Sequence, residues 1–440
     1  MRVSIVGAGP AGTTAALLLA RQGHHITLVD RDPGPRPGEG WERVGVMQFH
    51  LPQTLRAPGR NLLARRLPDL HQALMDAGAV VAAPPGGPEY AANLYVRREV
   101  MERAMWEFTS REPGISRVRG HADGVVLDDD RVTGVVVSTR STRQTIGADL
   151  VVDASGRAGR FAAAYRAQVD GGDCGVAYAS RLFQLRPGAD PGPMNGGPGW
   201  MAEYDGLLNI IFVHDAGTFS VLLARLGSDR ELTALRDETA YTTALSLLPA
   251  AAEWTDPARA FPIDKVRAGA GLVNLYRPQT REVTGLLAIG DAVCTTNPTG
   301  GRGVTLAMRA AAELADLVAT HPHPQWAARL DAWSLEQLRP WFEEHLIFDR
   351  AMRARWSRQP LDPNADISWD LVAAAATQRP DFMPALAPFL AMLALPHTID
   401  PLRDQVRAML RNGWRPPTPP GPTRDDLVAA ISGSLSTVVS

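Results

Sequence analysis

The opening of this chain leaves few choices of fold. Residues 2–6, Arg2-Val3-Ser4-Ile5-Val6, read as a short buried strand, and Gly7-Ala8-Gly9-Pro10-Ala11-Gly12 follows at once. Residues 13–22 carry a helix, and Ile26-Thr27-Leu28-Val29 is a second strand ending in Asp30. Strand, glycine turn, helix and strand in this order form the dinucleotide-binding unit of a parallel sheet. Gly7 makes the turn, Gly9 lets a pyrophosphate reach the backbone, and Gly12 lets the helix pack on the strand. Asp30, 18 residues after Gly12, is placed to accept hydrogen bonds from a ribose diol.

A second stretch has matching chemistry. The apolar run Gly285-Leu286-Leu287-Ala288-Ile289 leads into Gly290-Asp291-Ala292, then Val293-Cys294-Thr295-Thr296-Asn297-Pro298-Thr299-Gly300-Gly301-Arg302-Gly303-Val304. An alanine-rich helix over 306–318 follows. An acid at the end of a buried strand can hold a sugar hydroxyl. Glycines bring bare N–H groups close to a ligand, and the helix start behind them favours negative charge. Polyol, phosphate and an electron-accepting ring are the ligand parts that such a pair of motifs suits.

Composition narrows the class. With 440 residues, 45% hydrophobic and 21% charged, the chain is an ordinary globular protein of more than one small domain. Its net charge of −2 and lack of a basic tail speak against nucleic acid. Lys265 is the single lysine. Cys174 and Cys294 make no disulfide framework and point to a reducing, cytoplasmic compartment. No apolar run reaches the ~20 residues that span a bilayer. The apolar start is interrupted by a glycine-proline turn and lacks a basic leader, so it does not read as a signal peptide. No cluster of residues suggests a metal.

Between the two motifs, residues 31–45 read as a Pro/Gly/Arg-rich loop, with Arg43 able to reach a phosphate. Gln48, His50 and Arg56 come next, interleaved with Phe49 and Leu51; a lone His is more often structural. Residues 61–77 are expected to be one amphipathic helix. Arg98, at another helix start, could donate to a cofactor or pair with Glu102 four residues on. Residues 114–152 are expected to be a small antiparallel unit, with a hairpin turning at Asp128-Asp129-Asp130. Asp153-Ala154-Ser155-Gly156-Arg157 ends a buried strand that returns to the first sheet. Residues 166–280 read as a largely antiparallel sheet with a helix over 231–248, a fitting lid for a substrate cavity. Trp200, Tyr204 and Phe212 could line that cavity, although aromatic residues on alternating strands are more often core. Residues 326–348 and 366–413 read as helical, and 415–422 as a polyproline linker before a last amphipathic segment.

The expected class is therefore α/β. Residues 1–165 and 281–325 form a discontinuous, Rossmann-like cofactor domain with a parallel sheet, 166–280 an antiparallel substrate domain, and 326–440 a helical region. Three motifs now stand in one order: Gly7-x-Gly9-x-x-Gly12 with Asp30; Asp153-Ala154-Ser155-Gly156-Arg157-x-x-Arg160; and Gly290-Asp291-Ala292 through Pro298-Thr299-Gly300-x-x-Gly303. In this the chain resembles the para-hydroxybenzoate hydroxylase-like (group A) FAD-dependent monooxygenases over roughly residues 1–320. The Gly45-Val46-Met47-Gln48 stretch looks like their epoxidase and hydroxylase branch, which tailors natural products.

The resemblance implies non-covalent FAD, with NAD(P)H visiting transiently or a separate reductase supplying electrons. A flavin C4a-peroxide would pass one oxygen from O2 to a hydrophobic aromatic or olefinic molecule, by hydroxylation or epoxidation. Asp30 and Arg31 would lie at the adenosine, Gly9, Pro10, Ala11 and Gly12 at the pyrophosphate, and Arg43 and Arg98 would be auxiliary donors. Asp291 would hold the ribityl chain or pyrophosphate. Pro298, Gly300 and Gly301 would border the ring, and the N–H groups of Gly303 and Val304 would face its pyrimidine edge. Thr305 stands where the family often has asparagine, Ala154 departs from the second motif, and Arg302 holds a variable position facing the ring. The Trp-x-Trp-x-Ile-Pro signature of flavin halogenases is absent, which argues against halogenation. A buried thiol is the better reading of Cys294 than a covalent flavin link. No acid–base residue is singled out as catalytic. A reductase on the same scaffold, a non-catalytic flavin-binding protein and a homodimer remain open.

Overall fold

The structure is a computed structural model describing residues 1–36, 38–84, 87–193, 201–280 and 282–439. The chain opens with β1 (Arg2–Val6), α1 (Pro10–Arg21) and β2 (His25–Asp30). Later elements complete the same layer: α2 (Arg98–Arg111), β3 (Ile115–Arg119), β4 (Leu150–Asp153), β5 (Leu286–Ala288) and α3 (Gly303–Thr320). The five strands run parallel in the order β5-β4-β1-β2-β3. Every strand therefore ends on one edge, where α/β sheets bind ligands. α1 is buried along Pro10–Ala20 because sheet, α2 and α3 enclose it. Alanine and leucine all round suit such a helix.

A three-stranded meander, His121–Asp128, Arg131–Ser138 and Arg143–Gly147, interrupts the layer. The expected hairpin is there, but Ile115–Arg119 leaves the antiparallel unit and becomes the edge strand beside β2. Two other expectations are corrected. Residues 61–77 are two helices, Ala57–Arg66 and Pro68–Asp76. Pro68 lacks an N–H and pushes Leu67 out of helical geometry, to φ −136° and ψ 56°. Residues 231–248 likewise split into a 3-10 turn, Glu231–Arg236, and a helix, Glu238–Leu247. Asp237 caps that helix through the N–H groups of Thr239 and Ala240.

The second layer is an antiparallel sheet of Met201–Tyr204, Leu207–Val213, Thr218–Leu226, Val176–Leu185 and Ala260–Pro262, with Arg267–Gly269 pairing alongside. Alternation along its strands makes two cores. Ile211, Val221 and Leu223 face one that includes Tyr241, Trp254 and, from the last helix Arg424–Val439, Leu427 and Ile431. Val176, Tyr178, Ile210, Phe212 and Leu222 face the other, shared with the parallel layer and the helices beyond residue 326. Residues 326–356 form two helices, Trp326–Gln337 and Arg339–Trp356, the second longer than the sequence suggested. A separate small sheet joins Asp170–Asp173, Val273–Tyr276 and Cys294–Thr295, tying the second Gly-Asp segment to the sheet domain.

Candidate functional site

The sequence motifs meet at the carboxyl edge of the parallel sheet. Gly7 has φ +105°, and a Cβ on it would fall 2.3 Å from the Ala154 carbonyl oxygen. A Cβ on Gly12 would sit 1.8 Å from the Gly7 oxygen, and one on Gly290 (φ +65°) 2.8 Å from the Ala11 Cβ. First, second and third motifs are thus packed against one another, at separations that only glycine permits. A Cβ on Gly9, by contrast, would meet nothing within 4 Å. That open face lies at the N-terminus of α1, whose N-cap carries no side-chain hydrogen bond. The start of α3 is uncapped too, and Gly301, Gly303 and Val304 there are half-buried. Two helix starts with free N–H groups attract anionic or electron-rich groups.

Asp30 sits at the end of β2 and accepts from the Ala8 N–H at 2.6 Å and the Asp32 N–H at 2.8 Å. Arg43 reaches the same carboxylate at 2.9 Å and also pairs with Glu102. Burial works against its charge, but Glu102 and Asp30 outweigh burial and hold its pKa raised. Arg43 is therefore a buried brace of the acid and not a surface residue. Arg98 pairs with Glu102, donates weakly to Gln48 at 3.4 Å, and feels Asp291 electrostatically. Arg31 is exposed, its guanidinium lying against Gly45, where a Cβ would be 2.1 Å away. His50 stands between Glu42 and Glu99, at 3.2 and 3.6 Å, and so has structural partners.

Asp291 is half-buried, and burial raises its pKa, offset in part by Arg98 and Arg157. Tyr178, on the inner face of the antiparallel sheet, feels the same two arginines, so the sheet's inner face borders the site. Neither Tyr178 nor Arg157's coupling to Asp291 was foreseen, because only the tertiary fold brings them together.

The glycine loop has its own scaffold. Asn297 caps it through the Thr299 N–H at 3.1 Å, and Asn297 Nδ2 donates to Asp349 at 2.7 Å. The other Asp349 oxygen accepts from Asn274 at 2.6 Å. Arg56 Nη2 donates to the Gly300 carbonyl at 2.9 Å, and its N–H reaches Thr305 Oγ1 at 3.0 Å. Behind the loop, a Cβ on Gly300 would sit 2.4 Å from His345 Cε1. Sequence reading missed His345 and Asp349. Their signal was an i,i+4 pair of polar residues among the helix residues that are buried with them, Trp341, Phe342, Glu344, Phe348, Met352 and Trp356.

Of the aromatic candidates, Tyr204 is packed into the outer core and Phe212 stacks beside His214, so Tyr204 is a core residue. Trp200 lies outside the described residues. Cys294 is buried, which pushes its thiol pKa up and keeps it protonated. Among the described residues there is no group of His, Cys, Asp or Glu arranged for a metal ion. No helix among them is long and apolar enough to cross a membrane.

Residues 2–181 match the family of FAD dependent oxidoreductases. A kynurenine 3-monooxygenase of Salinispora arenicola is 36% identical over 167 residues, 35% of this chain and 36% of that protein. The chain thus aligns with about a third of that relative's length. The solved brominase Bmp2 overlays 94% of this chain on 99% of its own at a TM-score of 0.66 and 17% identity. PqsL, a probable FAD-dependent monooxygenase from Pseudomonas aeruginosa, covers 81% of this chain and 98% of its own, at a TM-score of 0.62 and 16% identity. At such identities the overlays speak for the fold. The cofactor of that matching family is FAD. The open face at Gly9, the two uncapped helix starts and the half-buried Asp291 fit its pyrophosphate, ring edge and polyol.

Proposed function

We propose that the chain is an FAD-dependent monooxygenase that inserts one atom of O2 into a hydrophobic aromatic or olefinic small molecule in the cytoplasm, with NAD(P)H as electron source. FAD, when bound, supplies the redox chemistry. The protein's part is to bind, orient and keep water out. Gly9, Pro10, Ala11 and Gly12 take the pyrophosphate, with Gly7 setting the turn, and Asp30, braced by Arg43, takes the ribose beside Arg31. Asp291 holds the polyol with Arg98 close by. Pro298, Gly300 and Gly301 border the ring, and the Gly303 and Val304 N–H groups stabilise charge at its pyrimidine edge. Residues 1–165 and 281–325 serve as the cofactor domain, 166–280 as the substrate lid, and 326–440 as the cover over the ring loop.

The observation that most supports oxygen transfer is how the loop is sealed. Gly300 abuts the buried His345, and Arg302 lies against the rings of Trp341, Trp369 and Phe389. A reactive oxygen species beside such a wall is shielded from water. The resemblance to a kynurenine 3-monooxygenase over 167 residues favours the same chemistry. The test is to incubate FAD-loaded protein with NADPH, isotopically labelled O2 and a small-molecule extract. A product carrying one labelled oxygen is expected. Turnover that proceeds without oxygen would assign the scaffold to a reductase instead.

A further inference from the structure

A cleft of about 700 Å³ opens where the antiparallel sheet meets the end of the helix Arg339–Trp356. Its walls are the start of Val176–Leu185, the end of Thr218–Leu226, the turn Glu231–Arg236, residues 270–271 and residues 350–359. Sites for small molecules have volumes of roughly 300–1,000 Å³, so the cleft is large enough for one. Four arginines line it, Arg225, Arg236, Arg350 and Arg353, against one acid, Asp173. Gly271, on its rim, accepts from Arg157 Nη1 at 3.2 Å, and the charge of Arg157 acts on Asp291. The cleft therefore adjoins the carboxyl edge of the parallel sheet, but shares no residue with the motifs gathered there.

Arg350 and Arg353 stand one turn apart near the end of their helix, where positive charge is favoured. Arg350 also has Asp366 at 3.1 Å. Arg353 lies across Gly175, where a Cβ would sit 2.5 Å from its Cδ. The acid it acts on, Asp349, is already taken by Asn274 and Asn297. A helix end does not account for Arg225 and Arg236, which come from the sheet and the turn. Arg225 is only 5% exposed, and Nη1 makes both of its hydrogen bonds, to the carbonyls of Leu226 and Asp229. Nε and Nη2 have no partner among the described residues. Burial lowers the Arg225 pKa and Arg236 lowers it further, while Asp229, which offsets them, is committed to Arg424 at 2.7 Å. Asp173 uses one oxygen on the Gly175 N–H at 2.5 Å. One lining carboxylate against four guanidinium groups leaves the cleft with a surplus of positive charge.

We propose that this cleft binds a phosphorylated small molecule carrying two or more negative charges. A phosphate presents three oxygens, and guanidinium forks from the sheet side and the helix side donate to them together. The occupant offsets the repulsion between Arg225 and Arg236. A singly charged carboxylate leaves most of the surplus in place, so the cleft discriminates by charge. Ser228 and Ser357 add hydroxyl donors. Among the described residues no aromatic side chain lines the cleft, so it selects the phosphate and not a flat ring. Two sources carry that chemistry: the nicotinamide dinucleotide that feeds electrons to the flavin, and a free phosphorylated metabolite. Only the first of these rests on the function proposed above.

FAD-loaded protein is titrated calorimetrically with NADP+, sodium pyrophosphate and sodium acetate at constant ionic strength. One saturable site for NADP+ or pyrophosphate, and none for acetate, is expected. NADP+ binding more tightly than pyrophosphate assigns the cleft to the electron donor; pyrophosphate at least as tight assigns it to a free phosphorylated ligand. Replacing two exposed arginines together, Arg236→Gln with Arg353→Gln, should weaken that binding about tenfold or more. Arg143→Gln, at an exposed arginine of the meander, should leave it unchanged. No saturable site for either phosphate compound, acetate bound as tightly, or wild-type affinity in the double variant would each overturn the proposal. Should the double variant fail to fold, Arg236→Gln alone decides in the same way. FAD uptake is read separately from its absorbance. A colourless protein would sink the earlier reading, and pyrophosphate titrated into the cofactor-free protein would still decide the cleft.

Discussion

Asp349 shows how one side chain can set both a site and a pH response. Its two oxygens accept from Asn297 and Asn274, and so hold the glycine loop that follows Asn297. Burial pushes its pKa up to about 6, against those same hydrogen bonds, which lower it. The folded-state value exceeds the unfolded one, so the folded protein binds this proton more tightly. Stability is then lost as pH rises from about 4 to about 6, and the loss is constant above that window. The difference in unfolding free energy between wild type and Asp349→Asn should therefore shrink by up to about 3 kcal/mol between pH 4 and pH 7. Denaturant melts across that range would show it; a difference independent of pH would remove Asp349 as the titrating group. Gly12 is a steric case. With its Cβ position 1.8 Å from the Gly7 oxygen, Gly12→Val must push α1 off β1. A stability loss of about 1–3 kcal/mol is expected, with loss of the yellow cofactor, measured by melting and absorbance.

Among the elements, helix termini decide more than helix interiors. α1 and α3 start without caps and leave N–H groups for a ligand. Glu238–Leu247 is the contrast, because Asp237 satisfies two of its N–H groups. Asp237→Ala should cost about 1 kcal/mol and leave FAD affinity unchanged, as calorimetry and FAD titration would report. These differences explain what could be read in advance. A strand, a glycine turn and a following acid are local, so β1, α1, β2 and the Gly290-Asp291 loop were legible. Pro68 was equally visible, yet the amphipathic pattern across residues 61–77 masked its breaking effect. Arg43 could not be placed from its loop, since its partners Asp30 and Glu102 come from other elements.

Over the whole molecule, the parallel layer and the antiparallel sheet share one core on the side that faces the motifs. The other face of the antiparallel sheet is closed partly by the last helix, through Leu427 and Ile431. Arg424 pins that helix by ion pairs to Asp229 and Glu231. Deleting residues 424–440 should remove about 3–6 kcal/mol of apolar burial from the sheet while FAD still binds. Lowered thermal stability with retained flavin absorbance is the expected outcome. The broad division into layers followed from strand and helix periodicity. The cage around Arg302 did not, because Trp341, Trp369 and Phe389 come from three helices whose packing no local pattern encodes.

The α1 start and the Gly290–Gly303 loop are proposed to grip one FAD between them. An equilibrium titration of the cofactor-free protein with FAD, repeated for Asp30→Ala and Asp291→Ala, tests it most directly. The expected result is one FAD per chain, with each substitution weakening binding about tenfold or more while circular dichroism stays unchanged. A protein that stays colourless, or an Asp291→Ala variant that binds FAD as tightly as wild type, would contradict this shared grip.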